Sequence, residues 1–346
     1  MKKFKIKNRV VGENFPPLII AEIGINHNGS IDRAIHLADK AIEAGAEVIK
    51  HQTHIAEEEM SKEAKKIIPL NSEKNIFDLI KDCSLSEKDE YKLMKYIQSK
   101  NKIFISTPFS KPAADRLARF RVPAFKIGSG ECNNFEFVKY LTKFKIPIIM
   151  STGMNTISGV KKSVNIILKK KIQLALLHCT NIYPTPEKFI RLNCIEELKK
   201  TFPKCVIGLS DHSKTIFPAI ASISLGARII EKHFVIDKKK DKGPDVSSSM
   251  DFNELKNLII ASKIVFDSRG YGKKAVSHEK STANFAFASV VSTKKIFKGQ
   301  KFNKDNIDLK RPGNGFYSVK DYKKLIGKKT KKNIEINTQI KFKDIH

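Results

Sequence analysis

Two histidines, His212 and His233, each close a short apolar run, Val206-Ile-Gly-Leu-Ser-Asp-His212 and Ala227-Arg-Ile-Ile-Glu-Lys-His-Phe234. Their spacing of 21 residues, 212 to 233, is about one strand–helix repeat of a parallel α/β fold. Both imidazoles are therefore expected at the carboxyl ends of neighbouring strands, where such folds place chemistry. A metal or an anion is the natural occupant. A lone strand-end histidine is more often a hydrogen-bonded structural residue. Two at matching positions, each two residues after a polar residue on the same strand face (Ser210 and Glu231), tilt the balance towards metal. With no Cys or third His nearby, the pair suits an open site completed by water and substrate oxygens better than a closed zinc site.

Lys50, Thr107, Lys126, Ser129, Asn181 and Ser210 fall at or just beyond the ends of other apolar runs. Two cations and several neutral donors on one rim are what a phosphate with three anionic oxygens requires. Any single Ser or Thr is better read as a helix cap. Two strand-end lysines inside a barrel are not, because an unpaired buried ammonium is costly. Glu22 and Glu131 lie in near-continuous apolar or glycine-rich strands, so each is either an ion-pair partner for Lys50 or Lys126 or a proton-transfer group, and both readings stay open. Gly243-Pro-Asp245 follows the last run; it reads first as a turn, from which Asp245 can reach the site. Arg311-Pro-Gly-Asn-Gly315 is likewise turn chemistry, of interest only if its domain docks over a barrel mouth.

The elements that must position these residues are legible as a repeat. Apolar runs cover 17–25, 47–52, 103–109, 124–131, 147–153, 174–180, 206–212 and 227–234, and several of the stretches between them (30–44, 87–100, 157–170, 252–266) carry apolar residues at helical spacing. Eight such units predict an α/β fold of the (β/α)8 TIM-barrel type over 1–266. Polar residues collect at strand ends rather than strand starts, as a barrel demands. Lys50 with Gln52, Ser210 with His212, and Glu231 with His233 share parity, so each pair faces one side of its strand. Residues 267–284 read as a linker, and 285–346 as a small β-rich domain opening on Phe285.

Composition narrows the setting. No apolar run reaches membrane-spanning length and the start lacks the apolar stretch of a signal peptide, so a cytoplasmic protein is expected. Five scattered cysteines without a C-x-x-C pair point to reduced thiols. The net charge of +29 raises nucleic acid as a partner. Against it, only nine of the 65 basic residues are Arg, and the lysines form no interleaved basic-aromatic stripe.

Taken together, Ala21-Glu-Ile-Gly-Ile-Asn-His-Asn-Gly29, Lys50-His-Gln52, Ser106-Thr-Pro-Phe109, Lys126-Ile-Gly-Ser-Gly-Glu131, Ser151-Thr-Gly-Met154, His178-Cys-Thr-Asn-Ile-Tyr-Pro-Thr185, Gly208-Leu-Ser-Asp-His212, Glu231-Lys-His-Phe234 and Lys310-Arg-Pro-Gly-Asn-Gly315 resemble the bacterial sialic acid synthase (N-acetylneuraminate synthase) family over essentially the whole chain. The resemblance implies a barrel joined to a small C-terminal domain similar to type III antifreeze proteins (an SAF domain), in a domain-swapped homodimer. It implies condensation of phosphoenolpyruvate with N-acetylmannosamine and water, giving N-acetylneuraminate and phosphate with C–O cleavage. Mn2+, or Mg2+ in its place, would be bound by His212 and His233. Lys50, Thr107, Lys126, Ser129, Asn181 and Ser210 would hold phosphoenolpyruvate. Glu131 would engage water or sugar, and Glu22 would act in proton transfer or sugar binding. Gln52, Tyr183 and Asp245 would face the sugar, with Phe285 and Arg311 arriving from the partner chain. Val246-Ser-Ser-Ser-Met250 after Gly-Pro-Asp favours the sialic branch over legionaminic and pseudaminic acid synthases, which share the chemistry.

Overall fold

The computed structural model describes residues 3–69, 72–270 and 272–345. Contacts divide the chain into two units, Met1–Gly270 and Tyr271–His346. In the first, β1 (Lys3–Ile6) and β2 (Arg9–Gly12) form an antiparallel hairpin. Then come β3 (Leu18–Gly24), α1 (Ile31–Glu43), β4 (Val48–Thr53), α2 (Ala56–Glu59), α3 (Ile76–Cys83), α4 (Glu87–Ser99), β5 (Ile103–Pro108), α5 (Lys111–Arg119), β6 (Phe125–Ile127) and α6 (Phe135–Leu141). The unit continues through β7 (Ile148–Ser151), α7 (Ile157–Lys169), β8 (Leu174–Cys179), α8 (Cys194–Thr201), β9 (Val206–Asp211), α9 (Phe217–Ser224), β10 (Ile229–His233) and α10 (Phe252–Asp267). Strands β3 to β10 close into a parallel barrel, β10 pairing with both β9 and β3. This is the TIM barrel that the repeat predicts.

Local chemistry explains the helix starts. Ser30, Asn75, Ser86, Ser110, Asn134, Thr156 and Asp251 each accept a hydrogen bond from the backbone N–H three residues on, satisfying a donor that the helix itself leaves unpaired. Period two then sorts the strands. Ile19, Ala21, Ile23, Ile49, Phe104, Phe125, Ile127, Leu176 and Ile207 belong to the core between sheet and helices. Leu18, Ile20, Val48, Ile105, Ile149, Ala175, Leu177, Val206 and Ile229 fill the barrel interior. Phe4, Ile6 and Val11 of the hairpin join that interior cluster and close its lower end. The sequence reading passed over this hairpin; the alternation of Phe4 and Ile6 with exposed lysines is its signal.

Two strand expectations are corrected. The run 124–131 is a strand only to Ile127; Ser129–Glu131 is a 3-10 turn, closed by Glu131 N–H donating to the Gly128 carbonyl at 3.1 Å, so Glu131 is not a strand residue. Glycines at 128 and 130 permit the chain to leave the ladder. Phe285 does not open a β segment. It lies in α11 (Lys280–Ala286), and the expected linker 267–284 also holds the end of α10 and a 3-10 turn, Ser277–Glu279. Helix α11 buries none of its residues, so it has no apolar periodicity to read.

The second unit pairs β11 (Ser289–Ser292) with β12 (Ile307–Lys310) antiparallel, followed by α12 (Tyr322–Leu325). Its core is Val290, Ile296, Phe302, Ile307, Leu325, Ile334, Ile340 and Ile345. No helix among the described residues is long and apolar enough to cross a membrane.

Because Phe4 is fully buried against the barrel interior, Phe4→Ala is expected to lower unfolding stability by about 3–5 kcal/mol. Urea denaturation followed by circular dichroism measures this, and a loss under about 1 kcal/mol would show that the hairpin does not seal the barrel.

Candidate active site

The interior residues change character towards the carboxyl end of the barrel. On β4 the inward series runs Val48, Lys50, Gln52; on β10, Ile229, Glu231, His233; on β9, Val206, Gly208, Ser210 and, just past the strand, His212. Each step of two residues rises one layer. The upper layers enclose a hollow of about 210 Å³. Lys50, Gln52, Thr107, Lys126, Ser129, Asn181, Tyr183, Ser210, His212, His233 and Asp245 all line it.

Its floor is ionic. Lys50, Lys126 and Glu231 come from alternate strands, the manner in which barrel interiors stack side chains. Glu231 Oε1 lies 3.6 Å from Lys50 Nζ and 3.5 Å from Lys126 Nζ, and accepts from Ser210 Oγ at 3.3 Å. Lys50 is also ion-paired with Glu22, which is buried beside it. Lys126 Nζ donates to Ser151 Oγ at 2.8 Å. The two ammonium groups therefore already have carboxylate partners, and their burial alone does not demand an anionic ligand. Burial, with Lys126 adding to it, nonetheless pulls the Lys50 pKa down to about 8 despite Glu231. Burial works to raise the Glu231 pKa, but Lys126, Lys50 and His212 together hold it below the ordinary value. Its second oxygen, Oε2, has no hydrogen-bond partner among the described residues.

Above the floor stand the imidazoles, His212 and His233, with ring centroids 5.4 Å apart. The Tyr183 ring lies 4.1 Å from that of His212. His212 Nδ1 is 3.0 Å from the Thr180 carbonyl, which can only accept, so in the neutral ring Nδ1 carries the proton and Nε2 keeps its electron pair. Thr185 N–H donates back to the His212 carbonyl at 2.9 Å, tying the loop after β8 to the end of β9. Burial presses His212 towards neutrality, but Cys179, the Thr180 carbonyl and Asp211 outweigh it and raise its pKa. Burial and the neighbouring cations hold His233 well below its usual value. His233 Nδ1 is buried without a hydrogen bond, with Asp245 Oδ2 3.5 Å away.

Asp245 is held there by its loop. Ser249 Oγ donates to its carbonyl at 2.8 Å, while Asn26 Nδ2 donates to Ser249 Oγ and to the Phe234 carbonyl, both at 3.1 Å. Asn28 Nδ2 reaches the Lys242 carbonyl at 2.8 Å. Among the described residues no group of three or more His, Cys, Asp or Glu is arranged to hold a metal. Two imidazoles, one with its Nε2 electron pair free and one with an unpartnered Nδ1, fit a divalent ion whose remaining positions go to oxygen donors.

Glu131 stands apart. It lines a neighbouring hollow of about 430 Å³ with Glu58, Glu59 and Phe109, accepts from Asn134 Nδ2 at 2.7 Å, and has its pKa raised by burial. Phe109 borders both hollows. In the second unit, Phe285 is 63% exposed and Arg311 follows directly on β12. The sequence reading missed Ser151, Cys179 and the floor role of Glu231. Cys179 shares parity with Asn181, and Ser151 ends its strand, so the strand-end rule could have found both.

The chain matches the model of the NeuB family over residues 37–274 and that of the SAF domain over 287–346. It is similar to the N,N'-diacetyllegionaminic acid synthase of Campylobacter jejuni, at 35% identity over 324 residues, 91% of this chain and 96% of the relative. It is also similar to the N-acetylneuraminate-9-phosphate synthase of Homo sapiens, at 30% identity over 332 residues, 94% and 92% of the two chains. Among solved structures, an N-acetylneuraminic acid (sialic acid) synthetase from Leptospira borgpetersenii in complex with citrate matches with a TM-score of 0.74 and 30% identity, covering 81% of this chain and 95% of that one. A closed parallel barrel followed by the SAF domain agrees with those matches: the chain is an enzyme of the NeuB family.

Proposed function

We propose that this enzyme condenses phosphoenolpyruvate with N-acetylmannosamine and water, releasing N-acetylneuraminate and phosphate. The observation that carries the reading is the layering of one barrel mouth: a floor with two buried lysines and hydroxyl donors, and above it two imidazoles beside Asp245 and Tyr183. A small polyanion and an aldehyde thereby receive separate, adjoining places. Lys50, Thr107, Lys126, Ser129, Asn181 and Ser210 hold the phosphate and carboxylate of phosphoenolpyruvate. His212 and His233 would hold Mn2+ or Mg2+, which when bound polarises the aldehyde of the open-chain sugar.

Carbon 3 of phosphoenolpyruvate attacks the aldehyde carbon, and positive charge develops at carbon 2. Glu231, which lines the hollow, is the carboxylate placed to offset that charge. Glu22, ion-paired with Lys50, provides a route for a proton between carboxylate and amine. Water adds at carbon 2, one of its protons ending on the former aldehyde oxygen as a hydroxyl, and the tetrahedral intermediate expels phosphate, which takes the other proton, with C–O cleavage to leave a ketone. Glu131, in the adjoining hollow, is left for a water or the far end of the sugar. Gln52, Tyr183 and Asp245 face the N-acetylmannosamine. Phe285 and Arg311 would complete the sugar site from the partner chain of a domain-swapped homodimer in the cytoplasm. The similarity to a diacetyllegionaminic acid synthase favours a second reading, the same chemistry on a different aldose.

Incubation with phosphoenolpyruvate, N-acetylmannosamine and Mn2+ should release inorganic phosphate. Running the legionaminate and pseudaminate precursors alongside ranks the aldoses; faster turnover of either would replace the sialic assignment. Chelation should abolish the activity and Mn2+ restore it. His212→Ala and His233→Ala should each lower kcat more than about a hundredfold, beyond the loss typical of an outer partner of a metal site, with an unchanged circular dichroism spectrum. For Lys50 the ammonium is the anion-binding form and its pKa is about 8. Hence kcat/KM for phosphoenolpyruvate should fall about tenfold per pH unit above that value. A profile flat to pH 10 would remove Lys50 from phosphoenolpyruvate binding.

A further inference from the structure

Gln52 is the inward residue one layer above Lys50, and the orientation of its amide decides whether a substrate meets a donor or an acceptor. That orientation is controlled from outside the hollow. Gln52 Oε1 lies 2.9 Å from His54 Nε2, and His54 Nδ1 lies 3.0 Å from both oxygens of Glu59, the last residue of α2. The His54 ring is stacked on Phe109, with centroids 4.3 Å apart and planes at 11°. Only 6% of His54 is exposed, so water is a poor substitute for either partner. Both ring nitrogens thus face atoms that can only accept, and the bonds require a proton on each. On the other side, a Cβ placed on Gly24, where φ is +42°, would stand 3.1 Å from Gln52 Nε2 and 3.1 Å from Glu22 Oε1. The amide nitrogen therefore sits on the Glu22 side of Gln52, away from His54.

We propose that the Glu59–His54 pair is a positioning device that locks the Gln52 amide with its oxygen outward, so that the hollow is offered an NH2 donor matched to a hydroxyl or carbonyl oxygen of the sugar. Remove Glu59 and Nδ1 loses its acceptor, so the ring is no longer held and its Nε2–H is no longer aimed at the Gln52 oxygen. With that donor misplaced, the amide is free to turn over and present its oxygen to the substrate instead. Glu59 and His54 act through Gln52, so their effect belongs to sugar binding and leaves the phosphoenolpyruvate floor untouched. The inference rests on the proposed assignment of Gln52 to the sugar.

Two measurements on the full-length enzyme test it. Proton–nitrogen correlation spectra of the histidine rings should show both nitrogens of His54 protonated in the wild type, and one unprotonated in Glu59→Gln. In steady-state kinetics, Glu59→Gln and His54→Phe, the latter retaining the stack on Phe109, should raise KM for N-acetylmannosamine about tenfold, the loss of one well-made hydrogen bond, while KM for phosphoenolpyruvate moves less than twofold. A bare ring nitrogen on wild-type His54, an unchanged sugar KM, or equal rises in both KM values would overturn the proposal. If the wild type shows no turnover with any aldose, the function assigned above fails, whereas the ring spectra still decide whether the amide is locked.

Discussion

An ammonium group inside a barrel must be answered by a carboxylate at close range, and this protein places two such ammonium groups on strands β4 and β6. Both are within 3.6 Å of Glu231, which reaches between them from β10, and Glu22 meets Lys50 from β3. Everything above and below is arranged around that layer. Below it the interior is aliphatic and closed by the hairpin, so the charges have no solvent on that side to soften their interaction. Above it the hollow opens, and a bound anion would take over part of the countercharge now supplied by Glu231. The floor thus keeps its ammonium groups countered without a bound anion.

The imidazole layer depends on loops, and these are fastened in pairs. The segment after β8 is bonded to the end of β9 through Thr180, Thr185 and the His212 backbone. The segment after β10 is bonded to the turn after β3 through Asn26 and Asn28. Each fastening sets one functional group: the first fixes the tautomer of His212, the second holds Asp245 beside His233. Rigid presentation from strand ends with loops locked to their neighbours is how a barrel holds groups from distant parts of the chain at fixed distances.

Much of this was legible because period two is a strong constraint. Parity alone put Lys50 with Gln52, Ser210 with His212 and Glu231 with His233 on a common strand face, and all six line the hollow. What parity cannot reach was lost. Glu131 sits past Gly128, where the ladder ends and a turn takes over, so its direction is set by a local hydrogen bond and not by strand register. Phe285 lies in a helix that buries nothing, which leaves no apolar stripe to betray it. The pairing of Lys50 with Glu22 was one of two readings open for that carboxylate, and only the fold, by closing β3 beside β4, brings the two side chains together.

The hairpin of β1 and β2 bears on traffic as well as on stability. With Phe4, Ile6 and Val11 packed beneath several layers of Ile, Leu and Val, the barrel is a blind well. Whatever enters at the mouth must leave by the mouth, and the reactant seated deepest departs last. The ionic floor is the deepest polar layer, so on the function proposed above phosphate formed there would lie under the sugar product, and the exit of that product would be the event that uncovers the lysines for the next turn.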